Sequence, residues 1–88
     1  PEERQEMGGF TVRQYHLDSN HHVNNAQYIR LSQEYTPADF QVQRLRAEYK
    51  RQAVLGDQIF PMVSKTEDSY VVALCNEEKE PYAVVEFS

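Results

Sequence analysis

The sequence predicts an α+β domain in which an antiparallel sheet of about five strands wraps around one central helix. One observation is a single helix-compatible stretch, opening at Asn24 and free of Gly and Pro until Pro37. A second is that the segments after it alternate apolar with polar residues or run as β-branched apolar blocks, the patterns of strands. A third is that turn signals separate those segments, so consecutive hairpins packed on one helix is the simplest arrangement of the order.

Taken in order, residues 1–9 are polar, charged and end in Gly8-Gly9, which predicts a linker or frayed end, and residues 10–88 form the domain. Phe10 to Tyr15 alternates and predicts strand one. Asn24 is the expected N-cap of the helix, with Gln27 in capping-box position. Gln27, Arg30 and Glu34 make one narrow polar stripe, while Val23, Ala26, Tyr28, Ile29, Leu31 and Tyr35 predict burial on most other sides. Pro37 disfavours helix at Thr36 and ends it.

Val42 to Arg51 predicts strand two, with Leu45, Ala47 and Tyr49 on one face and Arg44, Arg46, Glu48 and Lys50 on the other. Gly56-Asp57 reads as a turn, and Gln58 to Lys65 as strand three, at an edge or bulge because Pro61 lacks an N–H. Tyr70 to Cys75 and Ala83 to Phe87 predict a final hairpin across the acidic loop that ends at Pro81.

At 88 residues the chain is one domain, and one that buries only about 60–65% of its surface is marginally stable alone, so a partner or second domain is expected. It opens at Pro1, and the expectation is a piece of something longer. With 40% apolar and 26% charged residues it is globular rather than disordered, and no apolar run approaches the roughly 18 residues of a membrane span. A net charge of −5 argues against nucleic-acid binding. Four of the nine basic residues, Arg44, Arg46, Lys50 and Arg51, nonetheless share one short window, a solvated strand face or a docking site for an acidic or phosphorylated partner. The lone Cys75 excludes an internal disulfide and suits a reducing compartment, so cytoplasm is the expected location. Within an apolar strand it reads as inert core.

The chemistry-bearing stretch is Asp18 to Tyr28. Asp18, Asn20 and His22 alternate in a polar turn just before the helix, where unpaired backbone N–H groups and the positive end of the helix dipole point, a natural place to stabilise an oxyanion. The plain alternative is that Asp18 and Asn20 make turn hydrogen bonds and that Asn24 and Asn25 only cap the helix. His16, Asp18 and His22 match no recognised zinc spacing, so no metal is expected. Gly8-Gly9 precedes a strand and is no phosphate loop. His21 reads as exposed.

The pattern Asp18-x-Asn20-x-His22-Val23-Asn24-Asn25-x-x-Tyr28, at the head of a helix followed by strands, resembles the hotdog fold, and specifically the C-terminal hotdog repeat of the acyl-[acyl carrier protein] thioesterases. Glu48-Tyr49-Lys50-Arg51 resembles that family's second block, Glu-Tyr-(Arg/Lys)-Arg. The His-Val-Asn-Asn piece alone is shared with coenzyme A thioesterases of the 4-hydroxybenzoyl type. The acidic residue that the family carries before Leu17 is His16 here, and the position of the plant Cys is Ala53, so no thiol nucleophile is available there.

The resemblance implies hydrolysis of an acyl-carrier thioester to free fatty acid, without a cofactor. Glu48 is expected as general base toward water, with Asn20 and His22 orienting water or carbonyl and Asp18 holding the turn. Backbone N–H groups of Val23, Asn24 and Asn25 would receive the oxyanion. An alternative gives Asp18 the base or nucleophile role. The implied partners are acyl carrier protein, through Arg44, Arg46, Lys50 and Arg51, and a second hotdog repeat or another copy. Two further readings stand beside this one: an acyl-coenzyme A thioesterase acting as a homodimer, and a non-catalytic fragment that needs a missing repeat.

Overall fold

The computed structural model describes residues 3–19 and 21–88. Among them the chain forms β1 (Glu3–Glu6), β2 (Phe10–Thr11), a 3-10 turn (Gln14–His16), α1 (Asn25–Gln33), β3 (Leu45–Tyr49), β4 (Gln58–Lys65), β5 (Tyr70–Cys75) and β6 (Pro81–Phe87). The sheet is antiparallel in the order β1-β4-β5-β6-β3, with β2 also paired to β4. This is the expected antiparallel sheet with one helix.

Pleating divides the sheet into two rows of opposite fate. Gln5, Val63, Val72, Val85 and Ala47 stand opposite one another across five strands. Val72 and Val85 in that row are fully buried, as are Leu74, Ala83 and Phe87 on the same side. Each such large apolar side chain contributes about 1.5–3 kcal/mol through burial. The adjacent register row, Glu6, Met62, Ala73, Val84 and Glu48, faces the other way, because successive side chains of a strand alternate.

The helix lies on the first face. Asn24 caps it, its Oδ1 accepting the Gln27 N–H at 3.0 Å. Its end is closed where the Thr36 hydroxyl donates to the Gln33 carbonyl at 2.9 Å, just before Pro37. Burial is narrower than the sequence predicts: of the expected residues Val23 and Tyr28 are buried, joined by Ser32, while Ile29, Leu31 and Tyr35 are half-buried and Ala26 is exposed. One sheet can cover only one side of a helix, and the 3-10 turn, whose Tyr15 and His16 lie beside Gln27, Arg30, Leu31 and Glu34, leaves an open depression there.

Five boundaries differ from the sequence reading: β6 begins at Pro81 rather than Ala83, and the other four have a backbone reason. Residues 3–6, expected as linker, pair with β4 as β1, so tertiary pairing overrides a polar composition. Strand one stops at Thr11, because the Arg13 N–H turns to the His16 Nδ1 at 2.9 Å and the His16 N–H returns to the Arg13 carbonyl at 2.9 Å. Strand two shortens to Leu45–Tyr49. At one end the Gln43 and Arg44 amides share the Ser88 carbonyl, and at the other the Lys50 and Arg51 amides share that of Tyr82, which ends the ladder at both.

Pro61 sits in a central strand and is buried, neither at an edge nor at a bulge. Its carbonyl accepts the Met7 N–H at 2.9 Å, so its nitrogen points to the same side, where β1 has ended and β2 has not begun. The missing N–H therefore costs the ladder nothing.

Candidate active site

Residues Leu17 to Val23 form a tight loop feeding α1. Leu17 and Val23 bridge, the Asp18 N–H donates to the His22 carbonyl at 2.9 Å, and the His22 N–H reaches Asp18 Oδ1 at 3.3 Å. His21 takes up the left-handed conformation that lets the chain reverse, φ 63°, and is exposed. Asp18 thus has backbone work in the turn. Asn20 lies outside the described residues.

Facing this loop is the segment after β3. The Val23 N–H donates to the Ala53 carbonyl at 3.0 Å, and His22 bridges Val54. The Ala53 N–H donates to the Tyr28 hydroxyl at 2.9 Å. Between the two walls is an open depression of about 460 Å³, within the size of ordinary small-ligand sites. Asp18, His22, Val23, Asn24 and Asn25 line one wall, Tyr49, Lys50, Arg51 and Gln52 the other, and Tyr28 also contributes.

The sequence-predicted residues divide accordingly. Asp18, His22, Val23, Asn24 and Asn25 come together, joined by Lys50 and Arg51 of the basic window. Of the expected trio, the Val23 amide is hydrogen-bonded to the Ala53 carbonyl in this structure. Helix geometry leaves the Asn25 and Ala26 amides without an intrahelical acceptor, while that of Gln27 is taken by the Asn24 cap, so the first two are the donors that remain.

Glu48 does not line the depression. Its carboxylate lies on the sheet face away from the helix, mostly exposed and 3.0 Å from the Lys50 ammonium. The Lys50 hydrogen bond and charge hold the Glu48 carboxyl below its ordinary range. Arg51 pairs with Glu80 at 2.9 Å. Arg44 and Arg46 lie exposed along the other end of β3.

Ala53, at the position of the family's Cys, is fully buried. Cys75 is buried as well, and burial pushes its thiol up, away from the nucleophilic thiolate. No group of His, Cys, Asp and Glu that could hold a metal occurs among the described residues. Sequence reasoning counted Tyr28 as core and as the last residue of the Asp18 to Tyr28 pattern without giving it a role, and did not single out Gln52. The hydroxyl of an otherwise apolar helix face was the available signal for Tyr28, and Gln52 carried none.

Residues 1–83 match the family of the acyl-ACP thioesterase C-terminal domain. The chain belongs to that family. Similar solved structures include an acyl-ACP thioesterase from Bacteroides thetaiotaomicron, at 19% identity and a TM-score of 0.85, covering 94% of this chain and 36% of that one. The E. coli PaaI protein from the phenylacetic acid degradation operon matches at 12% identity and a TM-score of 0.75, covering 96% of this chain and 75% of that one. At these identities the likeness establishes the hotdog fold. The chain spans about a third of the length of the Bacteroides protein. No curated protein matches it. No described helix is long and apolar enough to cross a membrane.

Proposed function

We propose that the chain is the C-terminal hotdog of a thioesterase that hydrolyses acyl-[acyl carrier protein] thioesters to free fatty acid. The observation that carries this reading is the convergence of Asp18, His22 and the capped start of α1 on one depression whose far wall bears Lys50 and Arg51. A thioester needs an activated water and a donor for the developing oxyanion; the leaving thiol has a pKa near 8.5 and departs as thiolate without acid help. The first-turn amides of α1 are suited to receive the oxyanion.

Of the two candidate bases, the placement of Asp18 on the depression favours Asp18. Glu48 is turned to the other face and paired with Lys50, which weakens it as a proton acceptor. Lys50 and Arg51, with Arg44 and Arg46 beyond them, suit the phosphate of a phosphopantetheine arm or the acidic surface of its carrier.

The last strand in the sheet order, β3, leaves Leu45 and Tyr49 partly exposed beside the partly covered helix. An apolar edge of this kind supports a preceding repeat, or a second copy, as the partner that completes the pocket.

The experiment is hydrolysis of matched acyl chains on carrier protein and on coenzyme A, with Asp18→Asn and Glu48→Gln compared in the full-length protein. Carrier substrates are expected to be faster, and Asp18→Asn to lose about a hundredfold or more. A larger loss in Glu48→Gln than in Asp18→Asn reverses the base assignment. Preference for coenzyme A moves the reading to the acyl-coenzyme A thioesterases. Inactivity on both donors leaves a non-catalytic domain.

A further inference from the structure

We infer that Tyr28 is a positioning residue whose hydroxyl sets the spacing between the two walls of the depression. This inference rests on the proposed thioesterase reading. Tyr28 is rooted on the second turn of α1 and its side chain is almost wholly buried, at 1% exposure. The hydroxyl accepts the Ala53 N–H at 2.9 Å and donates to the Arg51 carbonyl at 3.4 Å, so one oxygen grips both ends of Arg51–Ala53. Ala53 then passes the constraint back, because its carbonyl accepts the Val23 N–H at 3.0 Å, immediately before the helix cap.

The loop is closed: helix to hydroxyl, hydroxyl to Ala53, Ala53 to Val23, Val23 to helix. The far side of the segment is fixed independently, since the Lys50 and Arg51 amides both donate to the Tyr82 carbonyl. A buried phenol with this pair of bonds is more than packing. Phe would fill the same volume, yet it would leave the buried Ala53 N–H without its acceptor. Burial pushes the Tyr28 phenol up from its ordinary value, against the opposing pull of the Ala53 amide, so the group stays a neutral donor and acceptor across physiological pH. Transition-state donors on the helix entrance are useful only if the wall that presents the substrate stays in register with them, and small misplacements are costly in rate.

The test compares Tyr28→Phe with Ser32→Ala in the full-length protein. Ser32 is also fully buried, and its hydroxyl donates to the Tyr28 backbone carbonyl at 2.8 Å, so Ser32→Ala removes a buried hydrogen bond from the same helix and leaves both bonds of the phenol in place. Both are assayed on acyl-pantetheine thioester where each variant is fully folded by circular dichroism. The expected result is a kcat about tenfold lower in Tyr28→Phe, with KM within about threefold, and an unchanged kcat in Ser32→Ala. Amide exchange at Ala53 and Val23 is expected to accelerate in Tyr28→Phe alone. Accelerated exchange with an unchanged kcat reduces Tyr28 to a structural role and overturns the inference, as does an equal loss of kcat in both variants. If Tyr28→Phe does not fold, an amide-to-ester replacement at Ala53 removes the donor from the other side of the same bond without adding bulk and takes its place.

A wild-type protein that hydrolyses no thioester overturns the functional reading instead. Tyr28 is then judged by a non-hydrolysable acyl-pantetheine amide, whose chemical-shift changes at Asn24, Asn25 and Gln52 must shrink together in Tyr28→Phe. Shifts that persist unchanged in the variant, or an analogue that does not bind the wild type, overturn the inference as well.

Discussion

The Glu48 carboxylate, on the face of the sheet that turns away from the helix, lies 3.0 Å from the Lys50 ammonium. The period of β3 puts Glu48 on that face, and Lys50, just past the end of the strand, reaches it from the rim of the depression. The same period keeps Glu48 off the depression, whose rim is formed by Tyr49 on the opposite face and by Lys50 and Arg51 where the strand has ended.

Removing Lys50 is therefore expected to act on Glu48 more than on the fold. In Lys50→Met the Glu48 carboxyl should titrate higher, back toward its ordinary value, because both its hydrogen bond and the nearest positive charge are gone. Carboxyl-carbon NMR reads that midpoint. Thermal stability near neutral pH should barely change, since exposed ion pairs contribute little. An unmoved Glu48 midpoint would show that the pair does not persist in solution.

His16 should make stability depend on pH on the acid side. Burial, with a smaller contribution from Arg13, holds its pKa below the ordinary value. Its Nδ1 accepts the Arg13 N–H at 2.9 Å, which requires that nitrogen to be unprotonated. Above the unfolded pKa of about 6.5 both states are neutral and the contribution is complete. As pH falls below that value the unfolded chain takes up the proton first, and stability is lost until the folded pKa is passed. His16→Asn keeps an acceptor for Arg13 without titrating, and its thermal midpoint should fall less over the same acid range. Parallel curves for the two proteins would rule His16 out.

The two adjacent glycines should answer differently to alanine. A Cβ on Gly9 would press into the Phe60 ring and lie 3.2 Å from the Ile59 carbonyl oxygen, whereas one on Gly8 meets nothing. Gly9→Ala is expected to cost about 1–3 kcal/mol as an overpacked site. Gly8→Ala should stay within about 0.5 kcal/mol in urea denaturation. Equal midpoints for the two variants would show that Phe60 yields without cost.

The exposed edge of β3 offers a test of association. With Leu45→Lys and Tyr49→Lys combined, concentration-dependent assembly of the isolated chain should weaken while circular dichroism stays the same, since both residues are already 41% and 42% exposed. Assembly that survives the double substitution must use another surface.

Much was decided locally. The α+β class, the helix cap at Asn24, β4 from Gln58 to Lys65 and the final hairpin are written in periodicity and turn chemistry, which act over a few residues. The membership of Asp18, His22, Asn24 and Asn25 in one cluster follows from their closeness in the chain.

Only the tertiary structure decided what met that cluster. Period two assigns Glu48 to a face, but which face meets the helix depends on how β3 pairs with β6, a contact between residues far apart in sequence. Whether Glu3–Glu6 is linker or strand depended on β4, and the tolerance of Pro61 on a break between β1 and β2. Tyr28 looked like one more apolar residue because its hydrogen-bond partner lies 25 residues on, and no local pattern encodes a bond of that range.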